Sequence, residues 1–364
     1  MRNDRILNPL NPKLGGGKSE QRESGIELLR ILAASMVVWL HINLPWGMPV
    51  ATEGINLALL HIIEVVSVPA VDIFIIISGY FMANKRERSI GKPLQLLLQL
   101  ILLNSLFFFP KFFYNYPKEP FEFVFLPNDY FITLYISLYF ISPYINKILD
   151  GLTTEQFKTL FVVSAILFCI YPILWEYMNL YTGSHVSGVS TVSRWNNDSG
   201  NNIVTFAFLY LLGALINKVQ IDKIINKRKA IIVWLITTFI LLAMYILDKH
   251  FTSEIFGSVS LFYHSPWVII QAVTLFLIFK NMKFSSRIIN RYASAALTCY
   301  IIQRHMLRYL RIESFLQGNP LMLIMYYIVV AIVIYFAAYL IYLLYNLLTK
   351  NIFKKFNSVS IKYY

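Results

Sequence analysis

The sequence predicts an all-α polytopic membrane protein with about ten transmembrane helices. Hydrophobic residues make up 57% of the chain and charged residues only 14%, a composition outside the range of ordinary soluble domains. Apolar stretches of about 20 residues, long enough to span a bilayer as a helix, recur along the whole chain. The basic residues follow the distribution expected of loops between membrane spans.

Ten apolar stretches predict the helices. They cover residues 26–44, 59–82, 94–113, 130–148, 160–178, 203–216, 231–247, 259–279, 293–310 and 321–348. Residues 1–25 are polar and predict a disordered cytoplasmic tail, whereas residues 349–364 predict a basic cytoplasmic tail suited to anionic headgroups. Residues 26–348 therefore form one predicted membrane domain.

The excess of basic residues is explained by topology. Lys and Arg number 32 against 19 acidic residues, which gives a net charge of +13. With the N-terminus placed in the cytoplasm, 24 basic residues fall on the cytoplasmic side and seven on the opposite side. This imbalance follows the positive-inside rule with both termini in the cytoplasm. Nucleic-acid binding is therefore not expected.

Arg30 and His41 lie inside the first apolar stretch, where ionisable side chains are costly unless a partner or a water-filled cavity compensates them. Eleven residues of helix separate them by about 16 Å of rise and roughly 20° of rotation. They therefore share one face of the helix and predict a buried polar site. Glu27, three residues before Arg30, can pair with it. The alternative is that Arg30 snorkels to the headgroups and that His41 is satisfied by interfacial water.

The second stretch carries further polar residues. Pro69 predicts a kink, Asp72 adds a buried acid, and Ser78 with Gly79 permits the close approach of a ligand or, more simply, of another helix. Lys85, Arg86 and Arg88 follow on the cytoplasmic side. Such a loop either only sets the topology or also holds a phosphorylated ligand.

Polar side chains also gather at the predicted outer side. Asn43 follows His41, and Gln303 and His305 lie toward the end of the ninth stretch with Arg304 between them, which predicts an outward-facing basic cavity. Trp195 lies in a polar loop at residues 181–202, a composition found both where sugars bind and in ordinary surface loops. The chain contains no HExxH, CxxC or GxGxxG pattern, so no metal site is predicted.

Several of these features together resemble the membrane acyltransferase 3 family, which includes O-antigen and exopolysaccharide acetylases. Arg30 and His41, with ten residues between them, match its R-x10-H signature, and the SGY of residues 78–80 and the basic loop match as well. The YISLYFISPYINKIL segment at residues 135–149 and SAALTCYII at residues 294–302 continue the resemblance. The chain departs from the family pattern at Ile75, at Lys85 and at Gln303, where many members have an aromatic residue, an arginine and a histidine.

The resemblance implies an O-acetyltransferase of the bacterial cytoplasmic membrane, with acetyl-CoA as donor substrate, no permanently bound cofactor, and a glycan or lipid-linked sugar as acceptor. Lys85, Arg86, Arg88 and Arg30 are the expected donor-binding residues. Arg30 is also an expected catalytic residue that polarises the thioester carbonyl, and His41 is the expected general base or acyl carrier. The remaining expected site residues are Glu27, Asp72 and Ser78 in catalysis, and Asn43, Trp195, Gln303 and His305 at the acceptor. A glycan or lipid-linked sugar exporter without acyl transfer, or a scaffold without chemistry, are the alternatives.

Overall fold

The computed structural model describes residues 23–43, 53–85, 87–112, 129–182, 198–251, 258–310, 312–356 and 360–362. This part of the chain is almost entirely helical. The helices are α1 (Ser24–Ile42), α2 (Gly54–Ser67), α3 (Ala70–Met82), α4 (Gly91–Phe112), α5 (Tyr130–Asp150), α6 (Thr154–Ala165), α7 (Tyr171–Thr182), α8 (Ile203–Val219), α9 (Ile221–Ile224), α10 (Lys227–Phe251), α11 (Pro266–Lys280), α12 (Arg287–Tyr292), α13 (Ala296–Leu307), α14 (Glu313–Leu316) and α15 (Pro320–Phe356). The predicted tail at residues 1–25 lies outside the described residues except for its last three.

The all-α polytopic fold is confirmed. Among the described residues, six helical segments are long and apolar enough to cross a membrane: Ser24–Ile42, Gly54–Met82, Thr154–Thr182, Lys227–Lys249, Val259–Lys280 and Pro320–Asn351. Two further apolar helices, Gly91–Phe107 and Ile203–Val219, are shorter. All ten predicted stretches contain helix, while their number as membrane crossings stays a prediction.

The predicted kink at Pro69 is confirmed. Helix α2 ends at Ser67 and α3 begins at Ala70, with Pro69 between them. Proline has no backbone N–H and its ring clashes with the preceding turn, so a helix bends or breaks where it stands. Asp72 consequently lies in the first turn of a new helix.

Helices α1, α3, α8 and α11 form the centre of the bundle. Helix α1 packs against α3, α11, α13 and α15, and the most extensive helix contact is between α3 and α8. A Cβ at Gly79 would lie 2.2 Å from the carbonyl oxygen of Tyr210, and one at Gly213 would lie 2.3 Å from that of Ile76. Gly79 therefore serves helix packing, the simpler of its two interpretations.

A small antiparallel sheet was not predicted. Strand β1 (Glu87–Ser89) pairs with β2 (Ser360–Lys362), with Arg88 opposite Ile361. The end of the chain thus returns to the loop that follows α3. This pairing places the backbone of the C-terminal segment against the segment that carries Arg88.

Candidate functional site

Helix α1 carries a polar group near each of its ends. Nη1 of Arg30 lies 2.6 Å from Oε1 of Glu27, which confirms the predicted pair at a spacing of three residues. The Arg30 side chain is 26% exposed and that of Glu27 is 10% exposed, so the ion pair is mostly enclosed. A mostly buried guanidinium needs such compensation, because desolvating an unpaired charge costs several kcal/mol.

A basic cluster surrounds the Arg30 end of the bundle. It consists of Arg30, Lys85, Arg88 and Lys92, which interact electrostatically with one another. Burial lowers the pKa of Lys85, and the positive charges of Arg88 and Arg30 lower it further. Four positive groups held close together repel each other, and a polyanion such as a phosphate group relieves that repulsion.

Arg88 is the most buried member of this basic cluster, with 2% of its surface exposed. Its Nη1 donates to the backbone oxygens of Lys85 and Glu87, and its guanidinium lies 5.6 Å from the ring centre of Tyr139. Its Nε and Nη2 both donate to Oγ of Ser142. Arg88 therefore fixes the shape of the loop and contributes charge.

The SPYIN segment of α5 holds this loop in place. Pro143 cannot donate a hydrogen bond to the oxygen of Tyr139 one turn earlier, and the hydroxyl of Ser142 donates to that oxygen instead. One turn later, the Asn146 amide donates to the backbone oxygens of Met82 and Lys85. The same segment thus repairs its own helix and anchors the basic loop.

His41 contacts α13 near the opposite end of α1. Its Nε2 lies 3.3 Å from Nε and 3.2 Å from Nη2 of Arg304, and the side chain of Gln303 also interacts with it. Arginine can only donate hydrogen bonds, so Nε2 accepts and the ring proton resides on Nδ1. The lone pair of Nε2 in His41 therefore faces the Arg304 guanidinium.

Asn43 anchors the end of α1. Its amide nitrogen donates to Oε2 of Glu64 at 2.7 Å and to the backbone oxygen of Leu60, and its amide oxygen accepts from the hydroxyl of Tyr327. Only 1% of Asn43 is exposed. These contacts fix the helix end that carries His41, and a role of Asn43 in acceptor binding stays a prediction.

Asp72 is fully buried and interacts electrostatically with Tyr130 and Tyr263. Neither of its carboxyl oxygens has a hydrogen-bond partner among the described residues. Tyr130 hydrogen-bonds to Tyr263 and lies close enough to Asp72 and Arg304 to interact with both electrostatically. A buried acid without a partner is costly, which is consistent with the predicted functional role but does not assign it.

Ser78 and His305 make their contacts with residues other than His41. The hydroxyl of Ser78 donates to the oxygen of Phe74 in its own helix and lies 3.3 Å from the hydroxyl of Tyr135. His305 stacks on Phe107 and lies 3.1 Å from the amide oxygen of Asn104. Gln303 and His305 thus point in different directions from α13.

Arg86 and Trp195 lie outside the described residues. Arg304 was predicted to lie in the outward-facing basic cavity but without a role at His41, and Ser142 and Glu64 were not predicted as site residues. The sequence Ser142-Pro143 within an apolar helix could have indicated the role of Ser142. A serine hydroxyl next to a proline often donates to the backbone carbonyl that the proline leaves without a hydrogen bond. Glu64 could have been noticed because it is an acidic residue within an apolar stretch, where ionisable residues are rare and often functional.

A family model described as an acyltransferase domain matches residues 23–343. The match covers both ends of α1, the basic loop, the SPYIN segment and α13. No curated protein and no solved structure matches the chain significantly.

Proposed function

Since this chain belongs to the acyltransferase 3 family and is a membrane acyltransferase, we propose that it transfers an acetyl group from cytoplasmic acetyl-CoA to a hydroxyl of a cell-surface or exported glycan. The observation that carries this proposal is the arrangement of α1, with Arg30 in a basic cluster and His41 offering an imidazole lone pair at the other end. One helix thereby links an anion-attracting region to a proton acceptor.

The basic cluster supports a phosphorylated donor. CoA carries several phosphate charges. The cationic groups of the basic cluster, from Lys85, Lys92 and Arg30, lie close together and are partly buried. Arg86, in the same loop, adds a further candidate by sequence. Arg30 lies deeper along α1 and is suited to hold the pyrophosphate or to polarise the thioester carbonyl.

His41 supports the chemical step. A neutral imidazole that accepts at Nε2 can take the proton of an acceptor hydroxyl as a general base, or can itself attack the thioester and carry the acyl group. In both cases the acetyl group or the CoA arm bridges about 16 Å of helix rise between Arg30 and His41. The acceptor then approaches from the His41 end.

The proposal is tested with membrane vesicles from producing cells, radiolabelled acetyl-CoA and the glycan fraction of the same cells. His41→Ala should abolish transfer of label while folded protein persists in the membrane, and Arg30→Lys should fail because one ammonium does not replace a bidentate guanidinium. His61→Ala, in the neighbouring helix α2, is the matched control and should retain transfer. Wild-type labelling by His41→Ala would remove His41 from the mechanism.

Family membership favours acyl transfer over the exporter alternative. The same vesicles separate the two directly. Glycan flux without release of CoA or labelling of glycan would indicate an exporter, whereas label on the glycan together with free CoA indicates the proposed transfer.

A further inference from the structure

Arg304 reaches His41 from the surface of the bundle. It lies in the last turn of α13 and is exposed, while its neighbour Gln303 is fully buried. Two of its nitrogens, Nε and Nη2, lie 3.3 and 3.2 Å from Nε2 of His41. Both contacts converge on a single nitrogen atom of the imidazole.

That nitrogen is the reactive atom under the proposed function. With the ring proton on Nδ1, only Nε2 has a lone pair to accept a proton or an acyl group. Any substrate atom that reacts there must come within hydrogen-bonding distance of the Arg304 guanidinium. The guanidinium is permanently charged and presents several N–H donors in one plane.

We propose that Arg304 is a catalytic residue that stabilises the oxyanion formed when the thioester carbonyl is attacked beside His41. This inference rests on the proposed function and deepens it. Its basis is placement, because a cationic donor at the reacting atom stabilises negative charge that develops only in the transition state.

The step balances as follows. The acceptor hydroxyl oxygen bonds to the thioester carbon while its proton passes to Nε2 of His41, and the carbonyl electron pair moves onto oxygen, next to Arg304. The carbonyl then re-forms, the carbon–sulfur bond breaks, and the CoA thiolate takes the proton from Nε2. The products are the acetyl ester of the acceptor and free CoA.

The exposure of Arg304 also explains how the acceptor reaches the imidazole. The guanidinium occupies the position at Nε2 that the acceptor hydroxyl requires. Because its side chain is long and exposed, Arg304 has room to shift toward the carbonyl oxygen. Gln303, buried on the same turn, cannot make that movement.

A purely structural role, in which Arg304 only orients the imidazole, makes different predictions. To orient the imidazole, the guanidinium must be held in place by its covalent link to α13. To stabilise an oxyanion, a guanidinium ion need only bind at the right place, and such an ion can come from solution. Guanidinium rescue of Arg304→Ala therefore distinguishes the two roles.

The experiment measures transfer from radiolabelled acetyl-CoA to the glycan fraction in vesicles that carry wild-type protein, Arg304→Ala, Arg304→Lys or Arg308→Ala. Arg304→Ala should lose about 10²–10³-fold in kcat, the typical effect of removing one oxyanion donor, with the KM for acetyl-CoA unchanged. Guanidinium chloride at non-denaturing concentration should restore part of that loss. Arg304→Lys should keep more activity than Arg304→Ala, and Arg308→Ala, one turn further along, should retain wild-type turnover.

Two outcomes overturn this inference. One is a wild-type kcat in Arg304→Ala, and the other is a loss that guanidinium fails to restore while size-exclusion profiles show folded protein. Neither affects the proposed function, provided that the wild-type protein transfers label and His41→Ala does not. Failure of the wild-type protein to transfer any label from acetyl-CoA would instead reject the proposed function itself.

Discussion

The hydroxyl oxygen of Ser142 accepts two hydrogen bonds from Arg88, one from Nε at 3.2 Å and one from Nη2 at 2.9 Å. Both residues are buried, and Ser142 at the same time donates to the oxygen freed by Pro143. One hydroxyl group therefore couples the proline site of α5 to the basic loop. Because Arg88 lies next to Lys85, this contact shapes the proposed donor site.

Ser142→Ala should weaken donor binding. The substitution leaves two donors of a buried guanidinium without their acceptor, at a cost of about 1–3 kcal/mol for a buried unsatisfied group. The loop then relaxes, so the KM for acetyl-CoA should rise severalfold while kcat stays near the wild-type value. Initial-rate measurements across donor concentrations provide the check.

Ser137→Ala is the matched control for this prediction. Ser137 lies on the same helix, is half-buried, and donates to the oxygen of Thr133 in its own helix. It should leave both constants unchanged. An unchanged donor KM in Ser142→Ala would show that the loop does not depend on this contact.

The structural features that were predicted correctly from the sequence are those that depend on local chain geometry. The pair of Glu27 and Arg30 follows from neighbours on one helix face, and the break at Pro69 follows from a missing N–H. The apolar stretches similarly reflect the length of chain that crosses hydrocarbon. Each of these properties is contained in a short window of sequence.

The contacts that were not predicted join distant parts of the chain. Arg304 and His41 are 263 residues apart, and β1 and β2 meet across nearly the same separation. Their proximity depends on which helices pack together. Membrane helices are apolar on most sides, so the sequence does not show which helices are neighbours. A strand of three residues also carries too little pattern to be recognised from sequence.

Asn43→Ala should destabilise the protein as well as reduce its activity. The amide of Asn43 connects Glu64, Leu60 and Tyr327, so its removal leaves buried groups without partners, again at about 1–3 kcal/mol each. A lower thermal unfolding midpoint of detergent-solubilised protein is therefore expected together with lower kcat. Asn84→Ala, which removes an exposed amide, should leave the midpoint unchanged. If Asn43→Ala instead raised only the acceptor KM at wild-type stability, the side chain would bind acceptor directly.

Removal of residues 357–364 should raise the KM for acetyl-CoA severalfold with little effect on kcat. Strand β2 pairs with β1, so its loss leaves the backbone around Arg88 without that support. Ile361→Pro provides a smaller change, because proline fixes φ at about −65° and is poorly tolerated within a paired strand. Ile361→Ala leaves the backbone free to pair and is the control. Wild-type donor KM in both the truncated protein and Ile361→Pro would show that the strand pairing does not affect donor binding.

Lys85 should make donor binding sensitive to alkaline pH. Its pKa is lowered by burial and by the nearby Arg88 and Arg30, so it loses its charge at a lower pH than an ordinary lysine, whose pKa is about 10.4. Phosphate groups favour the protonated amine, and the KM for acetyl-CoA should therefore rise as pH increases through the lowered pKa of Lys85. Lys85→Arg remains charged throughout this range and should reduce that rise, and the part that remains is expected from Lys92, the other buried lysine of the basic cluster. Donor KM and kcat measured against pH in both proteins test this, and an equal rise of KM in Lys85→Arg would assign the pH dependence to another group.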